Sequence, residues 1–246
     1  MSDFKEITAI VPIRKGSERI PGKNLADFAV VDGKSFNLLE WKLTQLLDVL
    51  PQKNILVSSD WDEALDIAKF YGVSTVKQPA DVSASDSPFD KTIRFCVEAT
   101  TTEYVAWSPV TAPLLGPSRS AEAFARFLSL EKKEQDQGLI VTHGLASYAL
   151  LDGVPINFAL GKGHMKTQEL PKIDIWDWTL AVRTRSVALN SSYMLGHEPV
   201  IHRAPMWATT DVNDPIDLET AKLLLPLYAR DEKLDVVRLG DLEGEN

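Results

Sequence analysis

Residues 7–25 read Ile-Thr-Ala-Ile-Val-Pro-Ile-Arg-Lys-Gly-Ser-Glu-Arg-Ile-Pro-Gly-Lys-Asn-Leu. The apolar run from Ile7 to Ile13 predicts a buried strand. Directly beyond it, Arg14, Lys15 and Arg19 lie close together, and Lys23 follows. Gly16, Ser17, Pro21 and Gly22 break regular structure there. A strand that ends in a Gly-containing basic loop is a place to hold phosphates, because backbone N–H groups and fixed cations both point at the anion. A solvated charged loop is the plain alternative.

Working outward, apolar periodicity alternates between strand and helix. Leucines at helical spacing predict a helix from Ser35 to Leu50, ended by Pro51. Asn54 to Ser58 reads as a strand, and Asp60 reads as the cap of a helix from Trp61 to Tyr71 that Gly72 stops. Val73 to Val76, Tyr104 to Trp107 and Leu139 to Thr142 read as strands. Phe89 to Ala99 and Ser118 to Leu130 read as helices. This order predicts a Rossmann-like three-layer α/β sandwich with a mainly parallel sheet. Ligands on such sheets bind outside the carboxyl ends of the strands, where Arg14, Ser58, Asp60 and Ser108 fall.

Residues 143–178 break the alternation. Hairpin-like pieces, Ser147 to Leu151 and Pro155 to Leu160, surround Asp152-Gly153, and Gly161 to Lys166 reads as a flexible loop. Trp176 and Trp178 are read either as interface anchors or as a local core. Thr179 to Val182 reads as a returning strand and Pro215 to Tyr228 as a final helix, with frayed residues from Asp241 to Asn246.

Hydrophobic residues at 44% and charged residues at 25% are ordinary for a globular chain. The net charge of −9 argues against general nucleic-acid binding, so a basic loop on this acidic chain is better suited to a small anion. Cys96, the one cysteine, sits among Ile93 and Val97 and reads as a core residue rather than a nucleophile. With no partner for a disulfide, no apolar run of about 18 residues and no signal-peptide pattern, the expected location is cytoplasmic.

The order Pro-Ile-Arg-x-Gly-Ser-x-Arg-Ile-Pro-Gly-Lys-Asn-Leu resembles the N-terminal signature of the acylneuraminate (nonulosonate) cytidylyltransferases, which make CMP-activated acidic sugars. The resemblance continues through Ile55 to Asp60, Gln78 to Asp81, Pro109 to Leu114, Gln168 to Pro171 and Asp211 to Leu218. It implies one nucleotidyltransferase domain over 1–246 with 143–178 as an inserted lobe, which serves dimerisation and reaches the partner's sugar side. It implies CTP and an acidic sugar as substrates and a homodimer as the assembly. Arg14, Lys23 and Asp211 take catalytic roles by this resemblance. Ile13, Arg14, Gly16, Ser17, Lys23, Asn24, Gln78 and Ser108 would meet the nucleotide, and Thr111, Thr167 and Gln168 the sugar. Lys23 as a solvated lysine and Asn24 as a turn cap are the plain alternatives.

The reaction would be nucleotidyl transfer, in which a sugar hydroxyl attacks the α-phosphate of a nucleoside triphosphate and pyrophosphate leaves, served by positioning, cations and magnesium. Magnesium takes hard oxygen ligands, and in an extended segment Asp211 and Asn213 project to one face. The family's usual Asp-x-Asp is matched here with Asn213 in second place. Asp214 is read instead as the N-cap of the helix that Pro215 begins. Glu18, Gln78, Ser108, Thr167 and Trp178 also depart from the family pattern. The departures leave two readings: a sugar other than sialic acid, or a catalytically weak nucleotide-binding or scaffold homologue. A nucleotidyltransferase for another sugar or base is a third.

Overall fold

A computed structural model of the 246-residue chain describes residues 4–16, 22–31, 33–133 and 135–234. At its centre lies β1 (Ile7–Ile13), buried on both faces as a parallel strand between helical layers must be. Ile7, Ala9, Val11 and Ile13 enter one core cluster and Ile10 the other. The period-two alternation of the strand therefore serves two cores at once.

Along the chain, β2 (Asp27–Val31) and β3 (Lys34–Asn37) form an antiparallel hairpin that leads into α1 (Leu38–Leu47). Next come β4 (Ile55–Ser59), α2 (Asp62–Phe70), β5 (Ser74–Lys77), the short α3 (Ala80–Ser83), α4 (Phe89–Glu98), β6 (Tyr104–Trp107), α5 (Pro117–Leu128) and β7 (Leu139–Leu145). The tiny hairpin of β8 (Leu150–Leu151) and β9 (Val154–Pro155) follows. The chain closes with β10 (Ile173–Ile175), β11 (Ala181–Thr184), α6 (Arg185–Ser191), β12 (Val200–Arg203) and α7 (Pro215–Asp231).

The eight-stranded sheet has the order β10-β7-β11-β6-β1-β4-β5, with β12 also paired to β7. Strands β6, β1, β4 and β5 are parallel, with Ala9 opposite Ile55 and Ala106. Strand β11 runs against both β6 and β7. The expected mainly parallel α/β sandwich is what forms.

Three local expectations are corrected. The helix expected from Ser35 begins only at Leu38, because Ser35 and Phe36 are drawn into pairing with β2. Asn37 then caps the helix: its side chain accepts from Glu40 N at 2.9 Å, and Glu40 accepts from Asn37 N at 3.0 Å. That helix stops at Leu47 rather than at Pro51. Asp60 does not cap α2; its carboxylate accepts from Lys15 N at 2.9 Å, while Ser59 Oγ receives Trp61 N. The expected cap at Asp214 does form, as a capping box with Asp217.

In the region 143–178, Asp152 and Gly153 carry φ of 49° and 84°. Two successive positive values are what a tight two-residue hairpin turn requires. Leu150, Leu151, Val154, Ile156 and Leu160 around this turn are each more than half exposed. Cys96 is fully buried, as expected of a core residue.

Candidate active site

The carboxyl ends of β1 and β6 and the segment after β5 surround a cavity of about 600 Å³. That volume falls within the ordinary range for small-molecule sites. Ile13, Arg14, Gly16, Lys23, Asn24, Gln78 and Thr111, all expected from the sequence, line it together. Ser17, Glu18 and Arg19 lie outside the described residues.

Behind β1 the chain turns back on itself. Gly22, at φ 68°, reverses the backbone before a 3-10 turn over Lys23–Leu25. Asn24 is buried, and its amide donates to Arg14 O at 3.1 Å, which closes the loop. Arg14 itself is exposed, so its guanidinium can meet an anion. Lys23 is not a solvated lysine: it is 8% exposed, and Nζ donates to Val212 O at 2.6 Å. Asn24 is likewise a loop-closing donor rather than a simple cap.

Val212 is the hinge between this loop and the acidic segment. Its N–H donates to Thr111 O at 2.7 Å while its carbonyl receives Lys23. Asp211 and Asn213 flank it without lining the cavity, and Asn213 Nδ2 donates to Asp211 Oδ2 at 2.5 Å. The two side chains share one face, as an extended segment dictates.

Two further groups stand here that sequence reading missed. His143, in β7, bonds Thr209 Oγ1 through Nδ1 at 2.8 Å and lies 3.6 Å from the Asp177 carboxylate. Burial pushes the Asp177 carboxyl above its usual range; His143 opposes this, and the charge of Asp211 adds to it. Asp211 and Asp177 are carboxylates, the donor type that a hard cation prefers. Among the described residues no cluster of three or more His, Cys, Asp or Glu forms a self-sufficient metal cage. The available signal was His143 itself, a polar residue just past the apolar run of β7.

Beneath the cavity, Gln78 is buried and donates to Ser58 Oγ at 3.1 Å and Ser58 O at 3.3 Å. Burial pushes the Cys96 thiol up to about 11, against hydrogen bonds from Ser58 and Gln78. A thiol so far from ionisation is no nucleophile. Ser108 is buried, holds Ile10 O through its N–H at 2.9 Å and does not line the cavity.

Phe89 and Trp107 form an aromatic wall with ring centres 5.6 Å apart, backed by Trp178 at 4.8 Å from Phe89. Trp176 meets Trp178 at a tilt of 33° with ring centres 4.2 Å apart, and both pack on the second core cluster, so the local-core reading describes them within one chain. The wall and the serine-rich stretch Ser83, Ser85 and Ser87 were not read as site residues, although hydroxyls grouped before Pro88 mark a polar loop. Thr167 and Gln168 sit on an exposed 3-10 turn and do not line the cavity.

The fold is shared with known enzymes. The structure of CMP:2-keto-3-deoxy-manno-octonic acid synthetase complexed with CTP superposes with a TM-score of 0.66 at 12% identity, over 91% of this chain and 99% of that one. The 4-diphosphocytidyl-2C-methyl-D-erythritol synthase from Anaerococcus prevotii gives 0.61 at 11% identity, over 90% and 96%. A cytidylyltransferase from Leptospira borgpetersenii serovar Hardjo-bovis gives 0.57 at 16% identity, over 98% and 100%. At these identities the likeness is one of fold. Residues 8–145, more than half the chain and including all but the first residue of β1, the basic loop and β6, match the cytidylyltransferase family model, and the chain belongs to the cytidylyltransferase family.

Proposed function

We propose that this protein is a CMP-sugar synthetase of the acylneuraminate (nonulosonate) type. It moves CMP from CTP to the anomeric hydroxyl of an acidic sugar and releases pyrophosphate. The hydroxyl oxygen bonds to the α-phosphorus, the bond to the β-phosphate oxygen breaks, and the hydroxyl proton is lost to solvent. One observation carries the reading: Arg14, Gly16, Lys23 and Asn24 line one cavity beside the Asp211–Asn213 segment. The Arg14 and Lys23 cations would then face the charge that grows on the α-phosphate and the leaving group.

In this reading Arg14 and Lys23 hold the triphosphate, Ile13, Gly16, Asn24 and Gln78 line the nucleotide site, Ser108 supports it from behind the cavity wall, and Ser17 keeps the nucleotide role that the family resemblance implies. Thr111 stands on the sugar side. Asp211, with Asn213 and Asp177 beside it, would hold magnesium together with phosphate oxygens. When bound, the ion neutralises charge on the phosphoryl oxygens. The single domain over 1–246 acts as a homodimer, in which the lobe 143–178 brings Thr167 and Gln168 to the partner's cavity. The exposed apolar residues of the lobe support this assembly.

Asn213 in place of a carboxylate favours a second reading, a homologue that binds the nucleotide and turns over weakly. Pyrophosphate release across a panel of nucleoside triphosphates and acidic sugars, with magnesium, separates the two.

A further inference from the structure

Helix α1 turns three polar side chains inward. Trp41 Nε1 and Gln45 Nε2 both donate to Pro113 O, at 2.9 and 2.8 Å, and Lys42 Nζ donates to Ala112 O at 2.7 Å. Trp41, Gln45 and Lys42 are all buried, Lys42 to within 2% of complete. Burial brings the Lys42 amine from its ordinary 10.5 down to about 7. An apolar side chain of similar volume at this position would avoid that cost.

What the three donors grip is the backbone directly after Pro109, Val110 and Thr111, which line the cavity. From there the contacts run on without a gap. Thr111 O receives Val212 N at 2.7 Å, and Val212 O receives Lys23 Nζ at 2.6 Å. A buried helix side chain is thus joined by three successive hydrogen bonds and short backbone steps to the cation of the basic loop. Such a chain transmits position because each link is a directed bond in a closely packed interior.

We propose that Lys42 is a positioning residue for the nucleotide site: by holding Ala112 it sets Thr111, and through Val212 it sets the place of the Lys23 ammonium. The proposal rests on the reading of the cavity as a nucleotide site. Lys42 touches no substrate and acts through Lys23.

The test is a double-mutant cycle on the full chain, with CTP and magnesium as the probe and calorimetry as the readout. Lys42→Met is expected to weaken CTP binding about tenfold when Lys23 is present, the scale of one lost hydrogen bond. In a Lys23→Met background the same change is expected to cost less than about twofold, because the two residues act as one unit. Equal losses in both backgrounds overturn the proposal, since a purely structural lysine gives additive effects. Amide exchange at Val212, measured without nucleotide, reads the positioning separately. It is expected to speed up in Lys42→Met and to recover partly in Lys42→Gln, which keeps an N–H donor on a shorter stem. Unchanged Val212 protection in Lys42→Met overturns the proposal. A wild-type protein that ignores CTP overturns the nucleotide reading instead, and Val212 exchange then decides the positioning claim by itself.

Discussion

Lys23 Nζ donates to Val212 O at 2.6 Å across 189 residues of chain. This bond fastens the basic loop after the first strand to the acidic segment before the last helix. It brings the two halves of the candidate site together and changes what a mutation at Lys23 does.

Lys23→Ala is expected to weaken triphosphate binding by about 1.5–3 kcal/mol, the range for hydrogen bonds to a charged group. A surface lysine would leave the melting temperature alone. Lys23 is buried and bonded, so its removal is expected to cost stability as well, roughly 1 kcal/mol for the lost bond. Calorimetric titration and thermal unfolding of the same variant check both. Wild-type CTP affinity in Lys23→Ala removes the residue from the phosphate site.

Lys42 gives a prediction in pH. Its amine titrates near 7 in the folded chain against 10.5 ordinarily. Below pH 7 it is charged in both states, and its burial cost is fully present. Between about 7 and 10.5 the unfolded chain binds the extra proton, so folded stability rises with pH. Above 10.5 both states are neutral and the contribution is flat. The stability of wild type relative to Lys42→Met is therefore expected to rise between pH 7 and 10, by up to about 1.4 kcal/mol per pH unit. Thermal unfolding of the pair across that window measures it, and parallel curves would mean that the amine keeps its ordinary affinity for protons.

The lobe gives a prediction of assembly. Leu151, Val154 and Leu160 are 65%, 63% and 74% exposed in one chain, apolar surface that a partner would cover. The protein is expected to sediment as a two-fold dimer at micromolar concentration, and Leu151→Glu with Val154→Glu is expected to shift it to monomer with the fold kept. A clean wild-type monomer at that concentration contradicts the dimer proposal.

The parts of this architecture visible in the sequence are those whose burial is nearly complete. Ile7–Ile13 and Tyr104–Trp107 form strands with the bounds their apolar runs suggest, because sheet strands covered on both faces must be apolar throughout. The hairpin Asp27–Asn37 was hidden because Lys34 to Asn37 has little apolar character and the leucines beyond it carry a strong helical period. Strands β10 and β12 were hidden because β7 specifies them at long range. The same division holds in the site. Arg14, Gly16, Lys23 and Asn24 were legible from one local loop. The Val212 carbonyl carries no side-chain signal at all, and His143 and Asp177 meet from separate elements with no spacing to betray them.

Asp211 tests the metal proposal. Asp211→Asn is expected to abolish turnover with the fold intact, because Asp177 is then the one carboxylate this proposal leaves for a hard cation. Asn213→Asp is expected to tighten magnesium binding and to keep or raise activity. Wild-type turnover in Asp211→Asn would remove this residue from the mechanism and the metal from this place.

Pyrophosphate release tests the central claim most directly. Purified protein is incubated with magnesium and each of several nucleoside triphosphates, with and without acidic sugars of the nonulosonate class. The account predicts release that requires both CTP and such a sugar, one pyrophosphate for each CMP-sugar formed. Silence across the whole panel, from a folded protein that nonetheless binds CTP, would contradict the synthetase reading and leave a nucleotide-binding homologue in its place.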